Sequence, residues 1–280
     1  MDSLTLSAAR RERFARLHDE GCFVIPNPWD AGAARYLRHL GFAALATTSA
    51  GFAFSRGLPD EVGVLSRDAV LRHVAEIVAA TDLPVNADLQ EGYADDEDGV
   101  AESVRLCVET GAAGLSIEDA TGDAERPLFD LPTAVRRLKA ARAAIDASGH
   151  RVVLTARAES YLVGHSEPLR DVLRRLTAYA EAGADVLFAP GPRTREEIAE
   201  IVRAAAPLPV NVLVSSDFGL TVADLAALGV RRISVGSALA RAAWSGFIRA
   251  AREIAEQGRF AGLADATPFA ELNQVFGEPS

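Results

Sequence analysis

Ala113-Gly-Leu-Ser-Ile-Glu-Asp119 is a short, mostly apolar run that turns acidic at its end. A run that is continuous rather than alternating implies a strand covered on both faces, which is the pattern of a parallel sheet. The neighbouring stretches repeat it. Pro84-Val-Asn-Ala-Asp-Leu89 ends around Asp88, and Val152-Val-Leu-Thr-Ala-Arg-Ala-Glu159 ends around Arg157 and Glu159. Further out lie Cys22 to Asn27, Ala44 to Ala50, Val186 to Gly191, Pro209 to Val214 and Arg232 to Ser237, most of them followed by a polar or turn residue. Helical periodicity fills the intervals at 31–40, 66–80, 98–110, 133–147, 168–182, 195–205, 222–228 and 238–257. Ser66 and Thr221 stand where N-caps are wanted, and Gly41, Gly111, Gly149, Gly183 and Gly229 where left-handed C-caps are wanted. Eight strand–helix repeats predict a (β/α)8 TIM barrel, whose usual size of about 250 residues fits this chain. Met1 to Glu20 adds an N-terminal helix, Pro268 to Phe276 a C-terminal helical extension, and residues 1–280 read as one domain.

Composition narrows the function. The chain has 280 residues, 49% of them hydrophobic, and a formal charge of −10. That charge disfavours a nucleic-acid partner, which needs clustered basic residues against phosphates. No apolar stretch approaches the roughly 20 residues that span a bilayer, and the expectation is a cytoplasmic protein without a membrane contact. Cys22 and Cys107 have no CxxC spacing, so neither a disulfide nor a zinc site is expected. Lys139, the single lysine, falls in an amphipathic stretch after the fourth strand and so on the outer helices. A Schiff-base mechanism, which needs a lysine within the site, is thereby excluded. A metal ion is the remaining common electron sink for chemistry on oxo acids.

Chemistry-bearing residues gather on strands two to five. Asp88 and Glu118 end adjacent strands about 4.8 Å apart, so both carboxylates can face one cavity. Hard oxygen ligands at that spacing suit magnesium. Asp60, in the long loop 51–65, can close the acidic cluster, and that loop is a candidate gate. Arg157 can grip a carboxylate in bidentate fashion, or it can simply pair with Glu118 at the rim. Glu159 can orient Arg157 or form a structural pair with it. Asn211 either reaches the cavity or is satisfied by backbone. Tyr93 is placed over the metal site, and His165 is a loop candidate for acid–base work. His39 and His73 read as surface residues.

In this order the motifs Asn27-Pro-Trp-Asp30, Thr48-Ser49-Ala50, Gly57-Leu58-Pro59-Asp60, Asn86-Ala-Asp88 with Gly92-Tyr93, Ser116-Ile-Glu118-Asp119 and Thr155-Ala-Arg157 resemble the isocitrate lyase and phosphoenolpyruvate mutase superfamily over nearly the whole chain. The resemblance implies Mg2+, with Mn2+ as an alternative, surrounded by Asp60, Asp88 and Glu118. It implies that Thr48, Ser49 and Ala50 hold the carboxylate and oxo group of a 2-oxo acid substrate, that Arg157 holds its far anionic end, and that the chain is a homotetramer with a terminal helix exchanged between partners. Two departures stand out. Asn86 replaces the family's direct metal-binding aspartate. Ala120 to Pro127 replaces the lyase branch's Lys-Cys-Gly-His loop, leaving Asp123, Glu125 and Arg126 as polar candidates. The expected activity is a magnesium-dependent lyase or decarboxylase acting on a small 2-oxo dicarboxylate such as oxaloacetate through enolpyruvate. The alternatives are a phosphonopyruvate or carboxyphosphonate mutase or hydrolase, a barrel that binds a 2-oxo acid without turnover, and a phosphate site at Gly236-Ser237.

Overall fold

Helix α1 (Ser3–Arg16) opens the computed structural model, which describes residues 3–277. It is followed by β1 (Phe23–Ile25), α2 (Ala31–His39), β2 (Leu45–Ala46), α3 (Ser49–Ser55) and α4 (Arg67–Ala79). Next come β3 (Val85–Asp88), α5 (Glu97–Glu109), β4 (Gly114–Glu118), α6 (Leu131–Ala147), β5 (Val153–Arg157) and α7 (Pro168–Glu181). The chain continues through β6 (Val186–Phe188), α8 (Arg195–Ala205), β7 (Val210–Leu213), α9 (Val222–Ala227), β8 (Arg232–Ser234), α10 (Ala238–Gln257) and α11 (Phe269–Gly277). All strand pairs are parallel, in the order β1-β8-β7-β6-β5-β4-β3-β2. The seam between β1 and β2 is bridged by the Ala46 amide donating to Pro26 O at 3.1 Å. This is a (β/α)8 barrel. No described helix is long and apolar enough to cross a membrane.

Outward-facing strand residues such as Leu45, Val85, Leu115, Leu154 and Leu187 are buried against the ring of helices. Each large side chain so buried contributes about 1.5–3 kcal/mol. Inside the barrel a second apolar cluster, including Ile25, Ala44, Ala113, Val153 and Val186, is closed from below by Phe14 of α1. Gly114 makes that plug fit, since a Cβ there would lie 2.5 Å from the Phe14 ring. Arg10 and Arg11 fasten α1 by donating to Val78, Thr81, Val108 and Ala112 carbonyls at the ends of α4 and α5, where helices leave acceptors unsatisfied. Above this floor the inward positions turn polar. Asn86, Ser116, Thr155, Asn211, Arg232 and Ser234 are all buried, in layers that bulky branched residues usually fill.

Ser66 and Thr221 cap α4 and α9 as their positions predict, and the glycines at 41, 111, 149, 183 and 229 all take positive φ. The second strand departs from expectation. It stops at Ala46, and Ser49 to Ser55 form α3 where strand end and loop were expected. Thr48 causes this, because its hydroxyl accepts from the Gly51 amide and caps the helix. Gly51 packs so tightly that a Cβ would meet Thr48 Cγ2 at 2.6 Å. His73 is also not a surface residue. It is buried, stacked on Phe52 with ring centroids 3.9 Å apart and bonded to Trp29 O, because α3 folds over that face of α4.

Candidate active site

Three strands deliver the central groups by register. Glu118 and Arg157 are direct neighbours across β4 and β5, and Asp88 ends β3 opposite Ser116. Arg157 Nη1 lies 2.9 Å from Glu118 Oε2 and 3.7 Å from Asp88 Oδ1, while its Nε donates to Glu159. The Phe188 ring lies 5.3 Å from the guanidinium. The rim ion pair of Glu118 with Arg157 therefore exists, but inside a larger acidic cluster. Asp88 Oδ2 accepts from the Ser49 amide at 3.1 Å, and its own amide donates to Thr47 Oγ1. Asp60 borders the same cavity, which measures about 280 Å³ and is also lined by Thr48, Ser49, Ala50, Asn86, Arg157 and Asn211.

The electrostatics of this cluster are one-sided, with Asp60, Asp88, Glu118 and Glu159 gathered around Arg157. Burial pushes Glu118 well above the usual carboxylate range; Arg157 opposes the shift, while Glu159 and Asp88 add to it. Glu159 is raised by burial too, again against the pull of Arg157. Asp60 sits on an exposed loop at the cavity mouth, and its carboxyl is shifted upward by partial desolvation and then by Asp88. Burial disfavours the Arg157 charge, but Glu118, Glu159 and Asp88 outweigh it and hold the guanidinium charged. Asp88 Oδ1, which faces Arg157, is buried without a hydrogen-bond partner; Asn86 Oδ1 lacks one too, but it faces Gly114 beside the Phe14 plug, 2.7 Å from where a Gly114 Cβ would lie. Excess negative charge, hard oxygen donors and unsatisfied acceptors fit a divalent cation. Among the described residues no three acidic side chains are already arranged around one point, so Asp88, Glu118 and Asp60 could hold it only after the first two turn from Arg157, and Asn86 only after turning its amide oxygen up from Gly114.

Several sequence candidates have different surroundings from those expected. Thr48 uses its hydroxyl to cap α3, and the Ser49 amide is taken by Asp88. Asn211 is satisfied by side chains rather than backbone, donating to Ser234 Oγ and accepting from Arg232 Nε. Tyr93 lies close enough to Asp88, Glu91 and Glu118 for their charges to raise its phenol, although burial is the larger cause. Its hydroxyl is buried without a partner. Asp123 and Arg126 are exposed and border a separate cavity of about 840 Å³ shared with Glu91 and Tyr93, so the loop 120–128 brings no acid to the carboxylate cluster. His165 is exposed, its ring accepting from the Glu167 amide. The amides of Val235 and Gly236 both donate to Asn27 Oδ1, so the phosphate site considered at Gly236-Ser237 has lost two donors.

Two groups of residues escaped sequence reasoning. Asp119 is buried, accepting from the Glu159 amide, Arg175 Nη1 and the Tyr179 hydroxyl, while Arg175 also pairs with Asp171. This network ties the ends of β4 and β5 to α7 and fixes Glu159 beside Arg157. The second is Arg232, a charged residue on a barrel strand. Its inward position between Arg231 and Ile233 was the available signal.

A family model described as phosphoenolpyruvate phosphomutase matches residues 14–255. The chain belongs to that family. This phosphoenolpyruvate mutase family member is 50% identical to a Burkholderia cenocepacia protein provisionally described as a lyase/mutase. The match covers 99% of this chain and 98% of that one, with a TM-score of 0.94. The family member is 32% identical to oxaloacetate decarboxylase of Bradyrhizobium diazoefficiens, over 92% of this chain and 90% of that protein. It is also 32% identical to 2-methylisocitrate lyase of Escherichia coli, over 74% of this chain and 70% of that enzyme. It is an enzyme of the lyase/mutase class.

Proposed function

We propose that this enzyme is a magnesium-dependent lyase or decarboxylase that breaks a carbon–carbon bond in a small 2-oxo dicarboxylate, with oxaloacetate as the first candidate. The observation that carries the reading is the carboxylate cluster around Arg157, with Asp88 Oδ1 left without a hydrogen-bond partner. A bound magnesium or manganese ion would supply the electron sink for the enolate that forms when a group leaves C3. Asp88, Glu118 and Asp60 would hold it, and Asn86 would contribute a neutral oxygen.

Were Asp88 and Glu118 to hold a cation, Arg157 Nη1 would be free to grip a substrate carboxylate, while Glu159, whose amide donates to Asp119, keeps the Arg157 Nε in place. Thr48, Ser49 and Ala50 line the cavity where the oxo end would lie. In the decarboxylation of oxaloacetate the C3–C4 bond breaks, carbon dioxide leaves, and the electron pair passes into the C2 carbonyl to give enolpyruvate, which takes a proton at C3. Decarboxylation is favoured over aldol-type cleavage because loop 120–128 supplies no cysteine, lysine or histidine. The assay is pyruvate release from a panel of 2-oxo diacids and phosphonates with magnesium and with EDTA. Release of phosphate from phosphonopyruvate would favour the phosphonate reading, and binding without turnover of any member would favour the non-catalytic barrel.

We also propose a homotetramer. The support is α10, a 20-residue helix with only Ala240 buried, which leaves Trp244, Phe247, Ile248 and Ile254 exposed near Phe269 and Phe276 of α11 in sequence. An apolar surface of this kind is rare on a monomer.

A further inference from the structure

Most buried arginines of this chain have an evident structural task. Arg11 and Arg137 donate to backbone carbonyls, at Val108 and Ala112 and at Glu91, Ala94 and Asp95 respectively, and Arg175 pairs with Asp119 and Asp171. Arg232 has neither kind of partner. It is 3% exposed, and its hydrogen bonds run to three neutral side chains: Nε to Asn211 Oδ1, Nη2 to Thr155 Oγ1 and Nη1 to His18 Nε2. His18 is held neutral, its imidazole pushed down to about 3 by burial and then by the Arg232 charge. A guanidinium carries five N–H donors, so one on each Nη remains beyond these three bonds among the described residues. Burying a charge without a counter-ion costs several kcal/mol, and hydrogen bonds to three neutral side chains do not cancel it.

Arg232 lines the same cavity as Asp88 and Arg157, together with Ala46, Ser116 and Ser234, whose small side chains keep the barrel interior open. Register places it at the bottom. Arg157, Phe188, Asn211 and Arg232 pair in sequence from β5 to β8. Three strand steps at a tilt of about 36° and a spacing of about 4.8 Å set the Arg232 backbone roughly 8 Å deeper than that of Arg157. Arg157 is neutralised by Glu118, Glu159 and Asp88, whereas the positive charge of Arg232 is uncompensated.

We propose that Arg232 anchors a second anion subsite at the floor of the cavity, which receives the far carboxylate of a dicarboxylate whose near end lies at the rim beside Arg157. This rests on the proposed 2-oxo dicarboxylate reading and deepens it by moving the far anionic end from Arg157 to Arg232. The substrate then lies along the barrel axis, its charge supplying the counter-ion that the fold omits, and monocarboxylates of similar size are discriminated against because they leave Arg232 unpaired.

The test is calorimetric titration with succinate, a diacid without an oxo group to react, and with acetate, on wild type and Arg232→Met, in magnesium and again in EDTA. Wild type is expected to bind succinate more tightly than acetate, and Arg232→Met to lose at least thirtyfold in succinate affinity with magnesium affinity unchanged. The ligand-free melting temperature serves as the folding control, because Arg232→Met removes a buried unpaired charge but also the donor to Asn211 Oδ1, Thr155 Oγ1 and His18 Nε2. Unchanged succinate affinity, or a lowered melting temperature with affinity unchanged, overturns the subsite and marks Arg232 as structural. If Arg232→Met does not fold, Arg232→Lys takes its place, with at least a tenfold loss expected because the planar fork is gone; equal affinity again overturns the proposal. The two readings fail separately. Succinate binding that depends on Arg232 without turnover of any 2-oxo diacid leaves the subsite and removes the activity, while turnover with an unchanged KM in the Arg232 variant does the reverse.

Discussion

Replacing Arg157 with methionine removes the cation from the carboxylate cluster while keeping much of the side-chain volume. Glu118 and Glu159, whose side chains are 9% and 5% exposed, lose their direct counter-ion. Breaking a buried ion pair from one side typically costs about 3–5 kcal/mol, which at about 2–4 °C per kcal/mol for a chain near this size lowers Tm by roughly 6–20 °C. The loss has a defined pH dependence. Both carboxyls are already raised in the folded protein by burial, and losing Arg157 raises them further. A carboxyl whose folded pKa exceeds its unfolded value binds more protons folded than unfolded between the two, so stability falls as pH rises through that window. The deficit of Arg157→Met should therefore be smallest in the ordinary carboxylate range, near pH 4–5, and grow toward pH 8. Melting curves of both proteins across that range in EDTA provide the measurement. A deficit that shrinks as pH rises, or a Tm equal to wild type throughout, would refute the reasoning.

Asn86→Asp adds a carboxylate where Asn86 Oδ1 has no hydrogen-bond partner; it should tighten magnesium binding at least tenfold by calorimetry while lowering the metal-free Tm, and unchanged binding would show that position 86 does not face the cation. Asp88→Ala should abolish magnesium-dependent activity with the fold intact by circular dichroism, and an unchanged magnesium affinity would remove Asp88 from the site. Asp119→Asn should lower kcat more than it changes magnesium affinity, because it loosens Arg175, Tyr179 and the Glu159 amide rather than an oxygen facing the cation. Phe247→Glu on the exposed face of α10 should shift the proposed tetramer toward smaller species by light scattering, with an unchanged mass counting against that interface.

Legibility differed from residue to residue for physical reasons. Asp88, Glu118 and Arg157 could be placed at one rim from sequence because a strand in a parallel sheet announces itself by a local apolar run, and its last residues must emerge at the same end of the barrel. The caps at Ser66 and Thr221 and the left-handed glycines after the helices were likewise local, set by the hydrogen bonds and φ angles of a few neighbouring residues. His73 was misplaced because its burial depends on α3, and α3 depends on a glycine pressed against Thr48 and Trp29, a contact no periodicity reports. Asp119 had no role legible from sequence because Arg175 and Tyr179, which enclose it, lie more than fifty residues away.

The sequence by itself therefore determined the barrel, the order of its elements and the identity of the residues at its rim, since these follow from short-range patterning and chain direction. Only the tertiary structure decided which carboxylates surround Arg157, that the inward positions above the Phe14 floor turn polar, and that Arg232 lies beneath the acidic cluster without a counter-ion. Those facts depend on the tilt and stagger of eight strands closing on one another, which bring residues from opposite ends of the chain to a common level and settle which charges share a desolvated space.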